Sequence, residues 1–505
     1  MTNPTGKIKR GMLFLSIEKA VNGSITLVMM PFIIRVIGIE QYGLWAILLG
    51  IFSYLQFLDL GLSFSTERFI AFHKAKNDDV ALRNIITSSF TYMVLYSLVL
   101  LLLLSIAGRP VVRIFTNNSC PPEHAGILLR LFPALAAAIL QPVFMGIPRG
   151  LQRFEISSKI QIAGKVIFAV SFFTGSALLH DINALVVAFT LQNGFTCIAY
   201  MVVAKKLLPG VPLFRLRIHP AAFRELLGFG FKIQISSIAF LVTQHFDKIL
   251  LSTFFGLRYA GYYEAATRII YAIRDIPLFL MSVLTPRITE LIARDDRQSI
   301  AILYKKITAQ LSIISFLLMA MLFINQKFIL SYVLKAAPDP FTLLVFSVIC
   351  LASFWHVISA SATYVSRGMG RTSIEMNANL CTLITNVLFS LLLMKLYSMN
   401  GIVFGTGIAM FVSPFFSYVL TNRIFAMRSV AFFSEAFLQP LVLTVIMIVP
   451  AWILRPALVH HVNDTVATLI MTAAGIIIAN GYYYTTGNST YREFLDTGMK
   501  FLRRK

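Results

Sequence analysis

Charge is scarce in this 505-residue chain: Asp, Glu, Lys and Arg make up 13% of it, where a soluble protein carries about a quarter. With 57% hydrophobic residues and a mean hydropathy of +0.77, that deficit excludes a soluble globular protein. Cysteine is also scarce. Of four, Cys197, Cys350 and Cys381 fall in apolar stretches and only Cys120 in a loop, which excludes a disulfide framework. No metal-ligand spacing, zinc motif or phosphate-binding Gly-x-x-x-x-Gly-Lys loop occurs, since Gly164-Lys165 lacks the upstream glycine. No metal or organic cofactor is therefore expected, and energy must come from the substrate gradient or from an ion gradient with H+ or Na+ as the coupling ion. Alternating ten-residue strands are absent, which excludes a membrane barrel.

What the chain does have is apolar stretches long enough to cross a bilayer, about 20 residues each. Hydrocarbon offers backbone groups no water, so these must be helices. About 14 spans are expected, at 11–37, 42–64, 85–107, 126–148, 159–180, 182–203, 228–254, 258–286, 307–334, 341–365, 373–397, 399–421, 434–457 and 464–487. The first follows Lys7, Lys9 and Arg10 in the manner of a signal sequence. It carries Glu18, Lys19 and Asn22 and lacks a small-residue cleavage site, so a retained helix is expected.

A formal net charge of +22 raises the prospect of a nucleic-acid partner, but its placement argues otherwise. With the N-terminus inside, the cytoplasmic loops and tails collect most of the cations, among them Lys74, Arg83, Arg149, Arg153, Lys205, Lys206, Arg224, Lys305, Arg367, Arg371 and Arg423. The opposite loops hold only Arg109, Arg113, Arg258 and Lys335. This positive-inside bias puts both termini in the cytoplasm and accounts for the charge without nucleic acid.

The chain also repeats itself. Gly38-Ile39-Glu40-Gln41-Tyr42-Gly43-Leu44-Trp45 returns 218 residues later as Gly256-Leu257-Arg258-Tyr259-Ala260-Gly261-Tyr262-Tyr263, and Arg149-Gly150-Leu151-Gln152-Arg153 returns at the same offset as Arg367-Gly368-Met369-Gly370-Arg371. Two matches at one offset predict a duplicated unit. The expected fold is an all-α polytopic membrane protein: a six-helix bundle at 1–203, a basic cytoplasmic linker at 204–227, a second six-helix bundle at 228–421, and two further helices with a basic tail at 422–505. An even number of helices per bundle makes this a parallel repeat, with its axis along the membrane normal.

Seven cations lie inside spans, Lys19, Arg130, Lys165, Lys248, Arg268, Arg274 and Lys327, along with Glu18, Asp59, Asp247, Glu264 and Asp275. At about 3 kcal/mol per charge, exposing the cations to lipid would cost on the order of 20 kcal/mol, so they must face an interior or a wet cavity. Glu264, Arg268, Tyr271 and Asp275 form one helical stripe, and Gln244 and Lys248 a second at similar depth. The competing reading is structural: Glu264 and Arg268 can neutralise each other at i,i+4, and Asp59 can bond the backbone at a helix end. Gly38, Gly43, Gly256 and Gly261 are expected to serve as hinges or tight turns and to permit close helix approach. Pro31, Pro142, Pro277 and Pro414 can kink their helices.

Two stretches carry a family resemblance. Pro31 to Gly38, Gln41-Tyr42-Gly43-Leu44-Trp45 and Asp59-Leu60-Gly61-Leu62 resemble the N-terminus of bacterial O-antigen-type polysaccharide flippases; Asp247-Lys248 and Gly261-Tyr262-Tyr263-Glu264-Ala265-Ala266-Thr267-Arg268 are similar to the matching second element. The resemblance extends to the multidrug, oligosaccharidyl-lipid and polysaccharide exporter superfamily, whose two bundles rock about a central cavity. It implies an inner-membrane transporter, not an enzyme, that moves a polyprenyl-pyrophosphate-linked oligosaccharide to the outer leaflet. Glycan polymerases and glycosyltransferases of the same pathway would be partners alongside membrane lipids. Lys19, Lys165, Lys248, Arg268 and Arg274 would bind the diphosphate, with Glu18, Asp59, Asp247, Glu264 and Asp275 balancing charge or coupling an ion. The alternatives are a multidrug or cation antiporter of the same superfamily, and a membrane glycosyltransferase or polymerase. Short outer loops, the longest about 109–125, argue against the enzyme.

Overall fold

A computed structural model describes residues 4–485 apart from 58, 60, 118–119, 283–287, 289–290, 292–295, 370, 372 and 462–463. Among the described residues the regular structure is helical throughout, and ten helices are long and apolar enough to span a membrane. The chain is thus a multi-pass membrane protein. Contacts divide it into two compact units, Met1–Glu264 and Ala265–Lys505.

In the first unit, α1 (Pro4–Phe57) is helical on both sides of Gly38, whose φ of 78° and ψ of 165° break it. The chain reverses there. Before the break, Phe14 lies beside Lys159 and Phe32 beside Phe173, running along α6 (Phe154–Leu179). After it, Gln41 accepts from the Ile182 amide, and Gln56 donates to the Ala138 carbonyl of α5 (Phe132–Gly150), heading back towards the Gly150 end. The turn expected between the first two spans therefore falls at Gly38. The second span ends sooner than the expected residue 64, because Asp59 starts a separate helix, α2 (Leu62–Ala75).

The unit is completed by α3 (Asp79–Phe115), the short α4 (Ile127–Arg130), α7 (Ile182–Leu207) and α8 (Pro220–Phe255), with α8 packed on α1, α2 and α3. The stretch leading into α8 is seated rather than loose. Arg217 and His219 amides donate to the hydroxyls of Thr91 and Ser88, and Phe214 lies against Phe90 and Phe144.

The next helix, α9 (Leu257–Ser282), places its opening turns in the first unit and the rest in the second. The second unit continues with α10 (Arg297–Ile324), α11 (Gln326–Leu334), α12 (Pro340–Ile358), α13 (Ala360–Gly368), α14 (Ser373–Tyr397), α15 (Met399–Ile424), α16 (Ser429–His461) and α17 (Asp464–Thr485). The last two pack on α10 through Ile313, Ala320, Leu443, Met447 and Met471. Lipid is as apolar as leucine, so helices in it associate through close approach and hydrogen bonds. The α14–α15 seam shows both: Gly401 and Gly405 admit the backbone at Leu393 and Ser390, and Asn386 donates to Thr406 at 2.9 Å.

Candidate functional site

The repeated glycine motifs meet each other within the first unit. Gly256, between α8 and α9, has φ 100° and ψ 162°, nearly the conformation of Gly38 and one that only glycine adopts readily. Five residues on, a Cβ built on Gly43 would overlap the Leu257 carbonyl oxygen and stand 2.8 Å from the Gly261 nitrogen. A Cβ on Gly261 would overlap the Ile39 carbonyl oxygen and stand 3.2 Å from the Gly43 nitrogen. The contact is reciprocal, as a two-fold axis would make it. Gly38 and Gly256 set the backbone, and Gly43 and Gly261 let the two copies touch without side chains between them.

Next to this seam lies a pair of buried polar contacts. Lys248 Nζ donates to Glu264 Oε2 at 2.8 Å, and the Tyr263 hydroxyl donates to Asp247 Oδ2 at 2.6 Å. All four residues are buried, Lys248 at 7% exposure and Asp247 at 3%. An isolated buried charge would be costly; here each carboxylate has a donor and the lysine a counter-ion. The neighbourhood extends to His245, whose ring stands edge-on to Tyr54 at 5.7 Å and packs over Gly50.

The residues 218 positions earlier are Met29, Met30, Trp45 and Ala46, all apolar and all buried. One copy of the repeat thus carries a methionine, tryptophan and alanine core where the other carries ions. Tyr263 and Tyr54 are absent from the sequence-based candidate site residues, whereas His245 is legible beside Asp247 and Lys248. Tyr263 has a legible signal in its place within the repeat, opposite Trp45, whereas Tyr54 has none.

The other candidates scatter. Asp59 is buried and accepts from the Gly61 and Ser63 amides at 2.9 and 3.2 Å and from the Ser63 hydroxyl, so it is occupied in starting α2. Lys165 lies half-buried over the Phe168 ring at 4.9 Å, and Lys19 is exposed on α1, with Glu18 beside it and within electrostatic reach of Tyr200. In the second unit Arg274 covers the Tyr271 ring at 4.3 Å and pairs with the exposed Asp275 at 3.0 Å. Arg268, half-buried, lies one turn past Glu264 on α9.

The Arg-Gly repeats sit at helix ends. Arg149 Nε donates to the Ser157 hydroxyl at 3.2 Å, while Arg367 forms a two-pronged ion pair with Glu375; Ser157 and Glu375 are themselves 218 residues apart. Gly146 and Gly150 admit the backbone of Glu67 on α2. Burial there pushes the Glu67 carboxyl up from its ordinary pKa, against the opposing pull of Arg149.

The sequence profile of the polysaccharide biosynthesis protein family matches residues 8–292, more than half of the chain and the whole of the glycine and ion cluster. The chain belongs to that family. It is also 25% identical over 279 residues to a putative O-antigen transporter from Shigella flexneri, a match spanning 53% of this chain and 63% of that protein.

In fold it is similar to the lipid II flippase MurJ in an inward closed conformation, with a TM-score of 0.72 at 13% identity over 96% of this chain and 99% of that one. It is also similar to an inward-facing MATE-family multidrug resistance transporter of the MOP superfamily, with a TM-score of 0.65 at 12% identity over 81% and 94% of the two chains. A third likeness is to a MOP-superfamily transporter from Pyrococcus furiosus, with a TM-score of 0.56 at 14% identity over 83% and 96%.

Proposed function

We propose that the chain is a flippase that moves a polyprenyl-pyrophosphate-linked oligosaccharide, the repeat unit of a polysaccharide or O-antigen, from the inner to the outer leaflet of the bacterial inner membrane. The two copies of the 218-residue repeat alternate access to a cationic cavity, and the glycine seam is where they close on one side. Family membership and the relatives' names support the class of cargo. The observation that carries the mechanism is the buried Lys248–Glu264 pair beside that seam, with apolar residues at the equivalent places of the other copy.

A diphosphate needs cations in low dielectric, and Lys19, Lys165, Arg268 and Arg274 supply them. Lys248 is already balanced by Glu264, so it engages the cargo only when Glu264 gives way. Glu264 exchanging Lys248 for a proton would couple cargo arrival to H+ uptake at one carboxylate. Asp247 accepts from the Tyr263 hydroxyl beside this pair. A cation exporter of the same superfamily would need acids open to its cavity. Asp247 and Glu264 are both buried and partnered, which favours the anionic cargo.

Deleting the gene should make lipid-linked oligosaccharide accumulate on the cytoplasmic face and strip the glycan from the cell surface, with the wild-type chain restoring both. Surface glycan that persists undiminished in the deletion strain would sink the proposal.

A further inference from the structure

We propose that the first unit carries a separate binding site for the phosphate headgroup of an anionic membrane lipid, at the far end of α3 from Asp79. A cavity of about 290 Å³ opens there, lined by Arg109 and Arg130 together with Gly108, Glu123, Gly126 and Leu129. It does not include any of the candidate transport residues.

Arg109, in the last turns of α3, and Arg130, at the end of α4, come from separate helices and both line this one cavity. Arg130 is held in place: one terminal nitrogen donates to Asn183 Oδ1 and the other to the Glu123 carbonyl. Asn183 is itself fixed by its amide and side-chain nitrogen donating to Asp181 at 2.9 and 2.6 Å. Two of the five guanidinium donors are thus spent on positioning, and the others remain for a ligand.

Arg109 has no hydrogen bond or ion pair among the described residues. Its Nε comes to 4.0 Å of the point where Gly126 would carry a Cβ, which places the guanidinium against the turn before α4. Glu123 contributes its backbone carbonyl; its carboxylate is exposed and 3.6 Å from the buried His124. The local balance remains cationic.

The surroundings distinguish a lipid from a free anion. Leu102, Leu103, Ile106 and Leu129 are exposed at 61, 51, 71 and 45%, forming an apolar surface that leads up to the arginines. Acyl chains lying on that surface would bring a phosphate up to Arg109 and Arg130, whereas inorganic phosphate would gain nothing from it. Two guanidiniums around one phosphate also favour an anionic headgroup over a zwitterionic one, whose own cation they would repel.

The test uses the purified full-length chain in detergent, titrated with phosphatidylglycerol, with phosphatidylcholine of the same acyl chains, and with inorganic phosphate; retained lipid is counted by native mass spectrometry. The wild type should retain phosphatidylglycerol in preference to phosphatidylcholine. Arg109→Gln should weaken phosphatidylglycerol retention by about fivefold, the effect of one basic residue at a charged surface, and Arg109→Lys should recover most of it. Lys335→Gln, which removes a cation elsewhere, should change nothing.

An unaltered melting temperature of lipid-free Arg109→Gln would show that the loss is in binding. Equal retention of the two lipids, or full phosphatidylglycerol retention by Arg109→Gln, overturns the site. Displacement of phosphatidylglycerol by inorganic phosphate at equal concentration overturns the assignment to a lipid.

Discussion

Lys248 and Glu264 illustrate how a residue-scale reading gains from geometry. The sequence places both in apolar spans and predicts that they are not lipid-facing, and both are buried. The i,i+4 spacing of Glu264 and Arg268 suggests pairing along one helix, but spacing cannot report a partner on another helix, and the ion pair to Lys248 runs between α8 and α9. Removing one member of a buried pair leaves the other uncompensated, at a cost of about 3–5 kcal/mol, while removing both can be nearly neutral. Lys248→Met should therefore lower the melting temperature of the purified protein sharply, and Lys248→Met with Glu264→Met should recover much of the loss. A double variant no more stable than the single one would show that the pair does not hold these helices. Asp59 was legible as well: a carboxylate before Gly61 and Ser63 signals a helix start, and it bonds both amides.

At the scale of elements, helices and the turn at Gly38 follow from apolar length and from glycine, which alone tolerates a φ of 78° with an extended ψ. The break that separates α2 from α1 was less legible, because the apolar run continues through Leu62 and hides the change of direction. The repeat marked Gly43 and Gly261 as related, but sequence similarity does not say that related positions touch. Close helix approach is expected at both, and the structure shows that each makes it against the other.

Any side chain at Gly43 or Gly261 must push backbone away, where overpacking costs about 1–3 kcal/mol or more. Gly43→Val and Gly261→Val should each cut surface glycan by roughly tenfold or more, since opening the seam by that energy shifts a two-state balance accordingly. Gly23→Ala and Gly194→Ala provide the comparison, as nothing lies within 4 Å of either position, and should transport normally. If all four variants behave alike, the seam has no part in transport.

For the whole molecule, composition and the distribution of charge were enough to establish a multi-pass helical membrane protein. The ten spans identified among the described residues fall at stretches expected from the sequence.

The buried Lys248–Glu264 pair beside the glycine seam is proposed to serve the passage of a lipid-linked diphosphate. Flipping by the purified chain tests that most directly, in proteoliposomes loaded with a labelled polyprenyl-pyrophosphate oligosaccharide, by following the label's arrival in the outer leaflet with an impermeant glycan-cleaving enzyme. The account predicts protein-dependent exposure of the label, faster with a proton gradient and lost in Gly43→Val. Exposure no faster than in protein-free vesicles would contradict it.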